Sequence, residues 1–294
     1  MYKKVLLCTD LSAASDKLLD ATVQLKSLGL EEVVLAYIIS SEHSPMGIER
    51  IREDSLPVVN AQKSYLQDMG LKVTVEIQAG IPSRKLHKLS EKYDVSAIVT
   101  GSHGKGIFKK AFMGSVSSEL LQICERPIIL IRLELDDEEA NVELTFDKLF
   151  DHVLFLTDFS EVADRAFLYL EKAVSETKCA VTLMHVQDST TIDPHLIYQL
   201  DYFNKVDGVR LDKLKNRLMD KGASQVENVL SFGPTVKEIL KQINNPENKY
   251  SLIIMGSQGK GFFGEALLGS VSHKVSRLSQ VPILLIPPKH QNDN

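Results

Sequence analysis

The sequence predicts two α/β domains in tandem, each a parallel sheet covered by helices on both faces, and three observations carry that prediction. The chain has 294 residues, about twice the usual domain size of ~150. It states one pattern twice: VLLCTDLS at 5–12 returns as VLFLTDFS at 153–160, TGSHGKGIFKKAFMGSVSS at 100–118 as MGSQGKGFFGEALLGSVSH at 255–273, and RPIILI at 126–131 as VPILLI at 281–286. Within each copy, short and almost wholly apolar strands alternate with helical patterns, which is the order of βαβ units whose sheet is buried on both sides.

The elements of the first copy follow in order. VLLCT is a β-rich run, and Ala14, Leu18, Leu19 and Val23 then recur at helical spacing. VVLAYII forms the second strand, a helix runs from 58 to 69, KVTVEI forms the third strand, and a second helix covers 83–92. SAIVTG leads into a glycine-rich loop, after which SVSSELLQIC reads as a helix and PIILIRL as a fifth strand. The second copy repeats the order with VLFLT, AVTLMHV, VENVLSF, SLIIMG and PILLIPP. The offset between copies is 148 at the aspartates and 155 at the first glycines, so they differ by a few loop residues. A solenoid would repeat every ~20–50 residues instead. The expected boundaries are 1–133 for the first domain, 134–149 for an acidic linker that opens ELDDEEA, and 150–294 for the second domain.

Composition narrows the function class. The hydrophobic share is 44% and the charged share 25%, as in ordinary globular proteins. A formal net charge of −5 and a pI near 5.9 speak against a nucleic-acid partner. MYKKVLLCTD is not patterned as a signal peptide, and no apolar run approaches the ~18 residues of a membrane helix, so no membrane partner is expected. Cys8, Cys124 and Cys179 lie far apart without metal-ligand spacing. A reduced, cytoplasmic setting follows as the expectation.

In an open parallel sheet, ligands sit beyond the carboxyl ends of the strands where strand order reverses. The loops after strands one and four are therefore the ones to search. After strand one, Asp10 and Asp158 stand in Thr-Asp-x-Ser, either facing a ligand or, with Ser12 and Ser160, capping the next helix. After strand four the pattern Gly-x2-Gly-x9-Gly-Ser appears twice, as Gly101, Gly104, Gly114 and Ser115, then as Gly256, Gly259, Gly269 and Ser270. Gly101 is expected to turn the chain off its strand, and Gly104 with Gly106 to let backbone N–H groups approach a phosphate. Gly114-Ser115 opens a helix whose N-terminal N–H groups favour an anion, with Ser115 and Ser117 as further donors; the alternative is that the glycines mark turns and Ser115 is a cap. A dinucleotide fingerprint is excluded because the first loop, TDLSAAS, holds no glycine, and a phosphate-binding GxxxxGK[ST] loop because neither GSHGKGIF nor GSQGKGFF supplies it.

The combination of the Asp after strand one, Gly-x2-Gly-x9-Gly-Ser, and the GSVS start of the last helix resembles the ATP-binding branch of the universal stress protein family. The likeness spans nearly the whole chain apart from the linker and the loops near 40–55 and 187–202. It implies two Rossmann-like domains, each with five strands in order 3-2-1-4-5, pairing through their fifth strands as an intramolecular pseudo-dimer, with a further homodimer also open. It implies ATP or AMP as cofactor. Asp10 and Asp158 would meet the ribose or adenine, Ile38 and Val186 would offer backbone groups to the base, and Thr100 and Met255 would line its pocket. Gly101, Gly104, Lys105, Gly106, Gly114, Ser115 and Val116 would hold ribose and phosphates in the first copy, and Gly256, Gly259, Lys260, Gly261, Gly269, Ser270 and Val271 in the second. Ser96 and Ser251 stand where the family often has Asp at the start of strand four.

No catalytic constellation is evident, since there is no GxSxG elbow and no HExxH helix, and His103 has Gln258 as its counterpart. The expectation is a nucleotide-binding regulatory protein in stress response, acting through conformation or an unidentified protein partner. The alternatives are a slow ATPase using Mg2+ bridged by the phosphates, and an interaction scaffold with a structural nucleotide.

Overall fold

The protein is described by a computed structural model that covers residues 2–102, 113–135, 142–190, 199–259 and 267–288. It divides into two compact units, Met1–Asp147 and Lys148–Asn294.

The first unit runs β1 (Lys4–Thr9), α1 (Ala13–Val23) with a 3-10 turn at Gln24–Leu28, β2 (Glu32–Ser40), α2 (Pro45–Asp68), β3 (Lys72–Gly80), α3 (Pro82–Lys92), β4 (Ala97–Gly101), α4 (Ser115–Ile123) and β5 (Ile128–Ile131). The five strands order β3-β2-β1-β4-β5, and every pairing is parallel. β1, β2, β4 and β5 are apolar because both faces are covered: Val5, Leu6, Leu35, Ala97, Ile98 and Leu130 are buried at or near 0% exposure. A short antiparallel pair, β6 (Leu133–Leu135) with β7 (Val142–Leu144), follows within the stretch read as a linker. It is tied to this unit near its end by Gln24, whose amide donates to the Asp147 carbonyl at 3.1 Å.

The second unit repeats the plan with β8 (His152–Leu156), α5 (Glu161–Thr177), β9 (Ala180–Asp188), α6 (Leu200–Asp220), β10 (Val226–Gly233), α7 (Thr235–Ile243), β11 (Leu252–Gly256), α8 (Ser270–Leu278) and β12 (Ile283–Ile286). Its strands order β10-β9-β8-β11-β12, again all parallel. Phe155 of β8 meets Phe167 of α5 edge-on at 5.5 Å between ring centroids, and both are buried. In each unit the chain moves outward in one direction from the first strand and in the other from the fourth, so the switch point lies between β1 and β4 and between β8 and β11.

One helix differs from expectation. α2 starts at Pro45, thirteen residues before the predicted 58. Ser44 caps it by accepting from the Gly47 N–H at 3.2 Å, and Pro45 occupies the first turn, where a missing N–H costs nothing. Its buried face carries Ser55 and Gln62 beside Val59 and Leu66, so apolar periodicity is weak there.

Candidate nucleotide site

Each switch point begins with the turn that leaves the first strand. Thr9 and Thr157 bend their hydroxyls back over it, accepting from Leu11 N–H at 3.1 Å and Phe159 N–H at 2.9 Å. The following N–H groups, of Ser12 and Ser160, donate to Asp10 Oδ1 at 3.1 Å and Asp158 Oδ1 at 3.0 Å. The residue between is held in the left-handed region, with φ 62° at Leu11 and 57° at Phe159, a conformation that costs a non-glycine residue about 1 kcal/mol or more. The aspartates therefore staple the turn. Helix capping is left to Ser160, which accepts from Ala163 N–H at 3.2 Å. Ser12 does not do the same: its hydroxyl donates to Asp10 Oδ1 at 2.5 Å, beside that of Ser15 at 2.6 Å.

The second turn is braced from α6. The Arg210 guanidinium lies 4.2 Å over the Phe159 ring, and the His185 ring stands 4.6 Å from it. His185 Nδ1 donates to the Thr157 carbonyl at 2.8 Å. Asp207 accepts from Gln187 at 2.9 Å and stands 3.6 Å from His185 Nε2.

The glycines at the ends of β4 and β11 have a steric role in the fold. Neither Gly101 nor Gly256 has positive φ, so no left-handed turn requires them. A Cβ on Gly256 would meet Val162 Cγ1 at 2.9 Å and the Val162 and Ala163 backbone at 3.2 and 3.3 Å; glycine here lets the start of α5 press against the strand end. A Cβ on Gly259 would lie 2.6 Å from Asp158 Oδ2, so that glycine makes room for the carboxylate. Gly114 and Gly269 close the loops by donating to the Ser102 and Ser257 carbonyls, each at 2.7 Å. They are also the N-caps of α4 and α8, without a side-chain cap bond. Ser115 and Ser270 are thus first-turn residues and not caps. Ser117, expected as a further donor to a ligand, is committed to the fold: its hydroxyl donates to Gly101 O at 2.6 Å, as Ser272 does to Gly256 O at 2.9 Å.

In the second unit these parts enclose a cavity of about 410 Å³, within the range of small-molecule sites. Asp158, Val186, Met255, Gly256, Gly259, Gly269, Ser270 and Val271 all line it. In the first unit Asp10, Gly101, Gly114, Ser115 and Val116 take the matching places at the ends of β1 and β4 and the start of α4, with Ile38 near the end of β2 and Thr100 buried 3.1 Å from the Ser117 hydroxyl. Gly104, Lys105, Gly106, Lys260 and Gly261 lie outside the described residues. Among the described residues, no cluster of three or more His, Cys, Asp or Glu side chains is placed to hold a metal ion, and no helix is long and apolar enough to cross a membrane.

The family model for the universal stress protein family matches residues 1–132 and again 149–287. The chain belongs to that family. A universal stress protein of Methanocaldococcus jannaschii is 27% identical over 155 residues, 45% of this chain and 96% of that one. One of Mycolicibacterium smegmatis is 24% identical over 224 residues, 75% of this chain and 70% of its own length. The crystal structure of a universal stress protein from Archaeoglobus fulgidus superposes with a TM-score of 0.71 at 28% identity, covering 97% of this chain and 98% of that one.

Of the two serines that precede the fourth strands, one has a structural role of its own in this universal stress protein. Ser251 accepts from the N–H groups of Asp151 and His152, each at 3.1 Å, and donates to Leu149 O at 3.0 Å, so a hydroxyl fastens the start of β8. Ser96 joins β1 through its N–H, to Lys4 O at 2.8 Å. The cavity also has walls that sequence reasoning did not name, chiefly Thr157, Asp188, Thr235 and Ile239. The Asp188 carboxylate accepts from Thr190 N–H at 2.9 Å, Thr190 Oγ1 at 2.7 Å and Thr235 Oγ1 at 2.9 Å. Burial works to raise its pKa, but these hydrogen bonds outweigh it and hold the carboxyl below its ordinary value. Recurrence of Thr before each Asp was a readable signal for Thr157; Asp188 and Thr235 have no equivalents in the first copy that could have marked them.

Proposed function

We propose that this protein binds adenine nucleotides, ATP or AMP, one in each of two domains at 1–133 and 150–294 joined by 134–149, and serves as a nucleotide-dependent regulator in a cytoplasmic stress response. The observation that carries the reading is the cavity of the second unit, which brings a carboxylate, two glycines too crowded for a Cβ and the start of a helix without a side-chain cap to one place. Its depth is apolar, with Leu156, Met184, Val186, Met255 and Ile239 offering a slot for a flat base. Its rim is polar, with Asp158 positioned for sugar hydroxyls, and Ser270 and the first N–H groups of α8 for phosphate. Any Mg2+ would be carried by the phosphates.

The paired family match supports a further part of the reading, that the two domains associate within one chain as a pseudo-dimer through their fifth strands. The bound nucleotide then acts by shifting a conformation or a surface for a protein partner. The deciding experiment is to extract and identify the small molecule that purifies with the full chain, then titrate AMP and ATP into nucleotide-stripped protein by calorimetry. The expected result is an adenine nucleotide and up to two sites per chain. Absence of binding for both nucleotides would overturn the reading.

A further inference from the structure

We propose that Asp188 is a recognition residue peculiar to the second domain, accepting a hydrogen bond from the exocyclic amino group of the bound base and so selecting 6-amino over 6-oxo purines. The inference rests on the nucleotide reading above and names the part of the ligand that one unassigned residue reads.

Position comes first. Alternate residues of a strand share a face, and on β9 the residues that line the cavity are Met184, Val186 and Asp188. Along that face the wall passes from a buried thioether through an apolar side chain to a carboxylate at the strand end. A flat base seated in the apolar slot has its polar edge nearest the last of these.

Chemistry comes second. A carboxylate is an acceptor only, and each of its oxygens accepts more than one bond. This one is oriented before any ligand arrives, because Thr190 fixes Oδ1 through two donors and Thr235, in the first turn of α7, fixes Oδ2. Those bonds also keep it ionised. An amino N–H pointing at it gains a charge-assisted bond. A ring carbonyl in the same place brings oxygen against oxygen, so discrimination comes from repulsion as well as attraction.

The comparison between domains comes third. Ser40 ends β2 opposite Gly80 in the register that Asp188 holds opposite Gly233. Pro82, which opens α3, stands where Thr235 opens α7. The first domain therefore lacks both the carboxylate and the hydroxyl that orients it, and its binding isotherm serves as an internal control.

An O–H donor on the ribose is the other group that could meet such an acceptor, and the test separates the two. AMP, IMP and 2′-deoxy-AMP are titrated calorimetrically into the full-length wild type, Asp188→Ser, the near-isosteric Asp188→Asn and Thr190→Ala, with circular dichroism to check folding. The wild-type second site should prefer AMP to IMP by about tenfold, the scale of one charge-assisted bond. Asp188→Ser should bring that ratio close to one and Asp188→Asn should narrow it, both leaving the AMP to 2′-deoxy-AMP ratio unchanged. Thr190→Ala, which keeps the carboxylate, should retain the preference. An AMP to IMP ratio unaltered in folded Asp188→Ser and Asp188→Asn, or a change confined to the ribose arm, overturns the proposal while the nucleotide reading stands. Wild type that binds none of the three overturns both.

Discussion

Two glycines of one motif, Gly256 and Gly259, should respond to the same alanine substitution in opposite ways. At Gly256 the new methyl would sit 2.9 Å from Val162 Cγ1, with helix backbone behind it at 3.2 and 3.3 Å. Ordinary carbon contacts are about 3.5–4.0 Å, and a β-branched valine in a helix has little rotamer freedom with which to yield. The start of α5 must retreat, and overpacking of this kind costs about 1–3 kcal/mol. At Gly259 the methyl would meet only Asp158 Oδ2, at 2.6 Å, with Asp158 Cγ next at 3.6 Å. The carboxylate can turn about Cβ–Cγ with Oδ1 still accepting from Ser160 N–H, Gly259 is exposed, and its φ is not positive. The stability cost there should stay within about 0.5 kcal/mol. The displaced carboxylate, however, no longer faces the cavity, and the loss of one charge-assisted bond, about 1.5–3 kcal/mol, weakens AMP about 10- to 100-fold. Urea denaturation, followed at the second domain's transition, and AMP calorimetry on both variants give the four numbers. Gly259→Ala with wild-type affinity, or Gly256→Ala with wild-type stability, would refute the reasoning.

Phe167→Ala removes a ring that is 2% exposed, packed edge-on against Phe155 and covered by the Arg217 guanidinium at 4.7 Å; it should cost about 3–5 kcal/mol in urea denaturation. Glu76 of β3 shows how acid should act on the first domain. Burial opposes ionisation, but hydrogen bonds from Lys92 at 2.6 Å, Tyr93 at 2.5 Å and Gln78 at 3.0 Å prevail and lower its pKa from 4.5 to about 2. Because the folded value lies below the unfolded one, the stabilisation is complete above pH 4.5 and disappears as the pH falls towards 2; Glu76→Gln should flatten that part of the urea-midpoint profile. Finally, Lys109 and Lys110 of the first loop align with Gly264 and Glu265 of the second, so the first site should gain more from added phosphates. Titrating AMP and ATP into variants with one intact loop should give a larger ATP-to-AMP ratio at the first site, and a ratio equal in both sites or larger in the second would refute this.

The inner sheet was legible because burial on both faces leaves its mark on those strands: VVLAYII, SAIVTG and PILLIPP fall on β2, β4 and β12 to within one or two residues. The start of α2 was hidden by Ser55 and Gln62 on its inner face, although Ser44-Pro45 is a helix-start signal that could have been weighed. In the site, spacing located the glycines but not their purpose. What demands Gly256 is Val162, ninety-four residues away in sequence, and nothing local to a glycine announces a neighbour from another element. Asp188 and Thr235 stayed invisible for a related reason, because they meet only when the end of β9 lies beside the start of α7.

Loop tips usually accept insertions and deletions readily. The Thr-Asp-x-Ser turn is an exception built by counting. The bond from residue three to the threonine and the bond from residue four to the aspartate each span two positions, so one residue more or fewer breaks both at once and releases the left-handed residue between them. With the threonine and aspartate in place, length is what this turn must keep. The third place has room for leucine in one copy and phenylalanine in the other, while the spacing from the threonine to the helix start is the same in both.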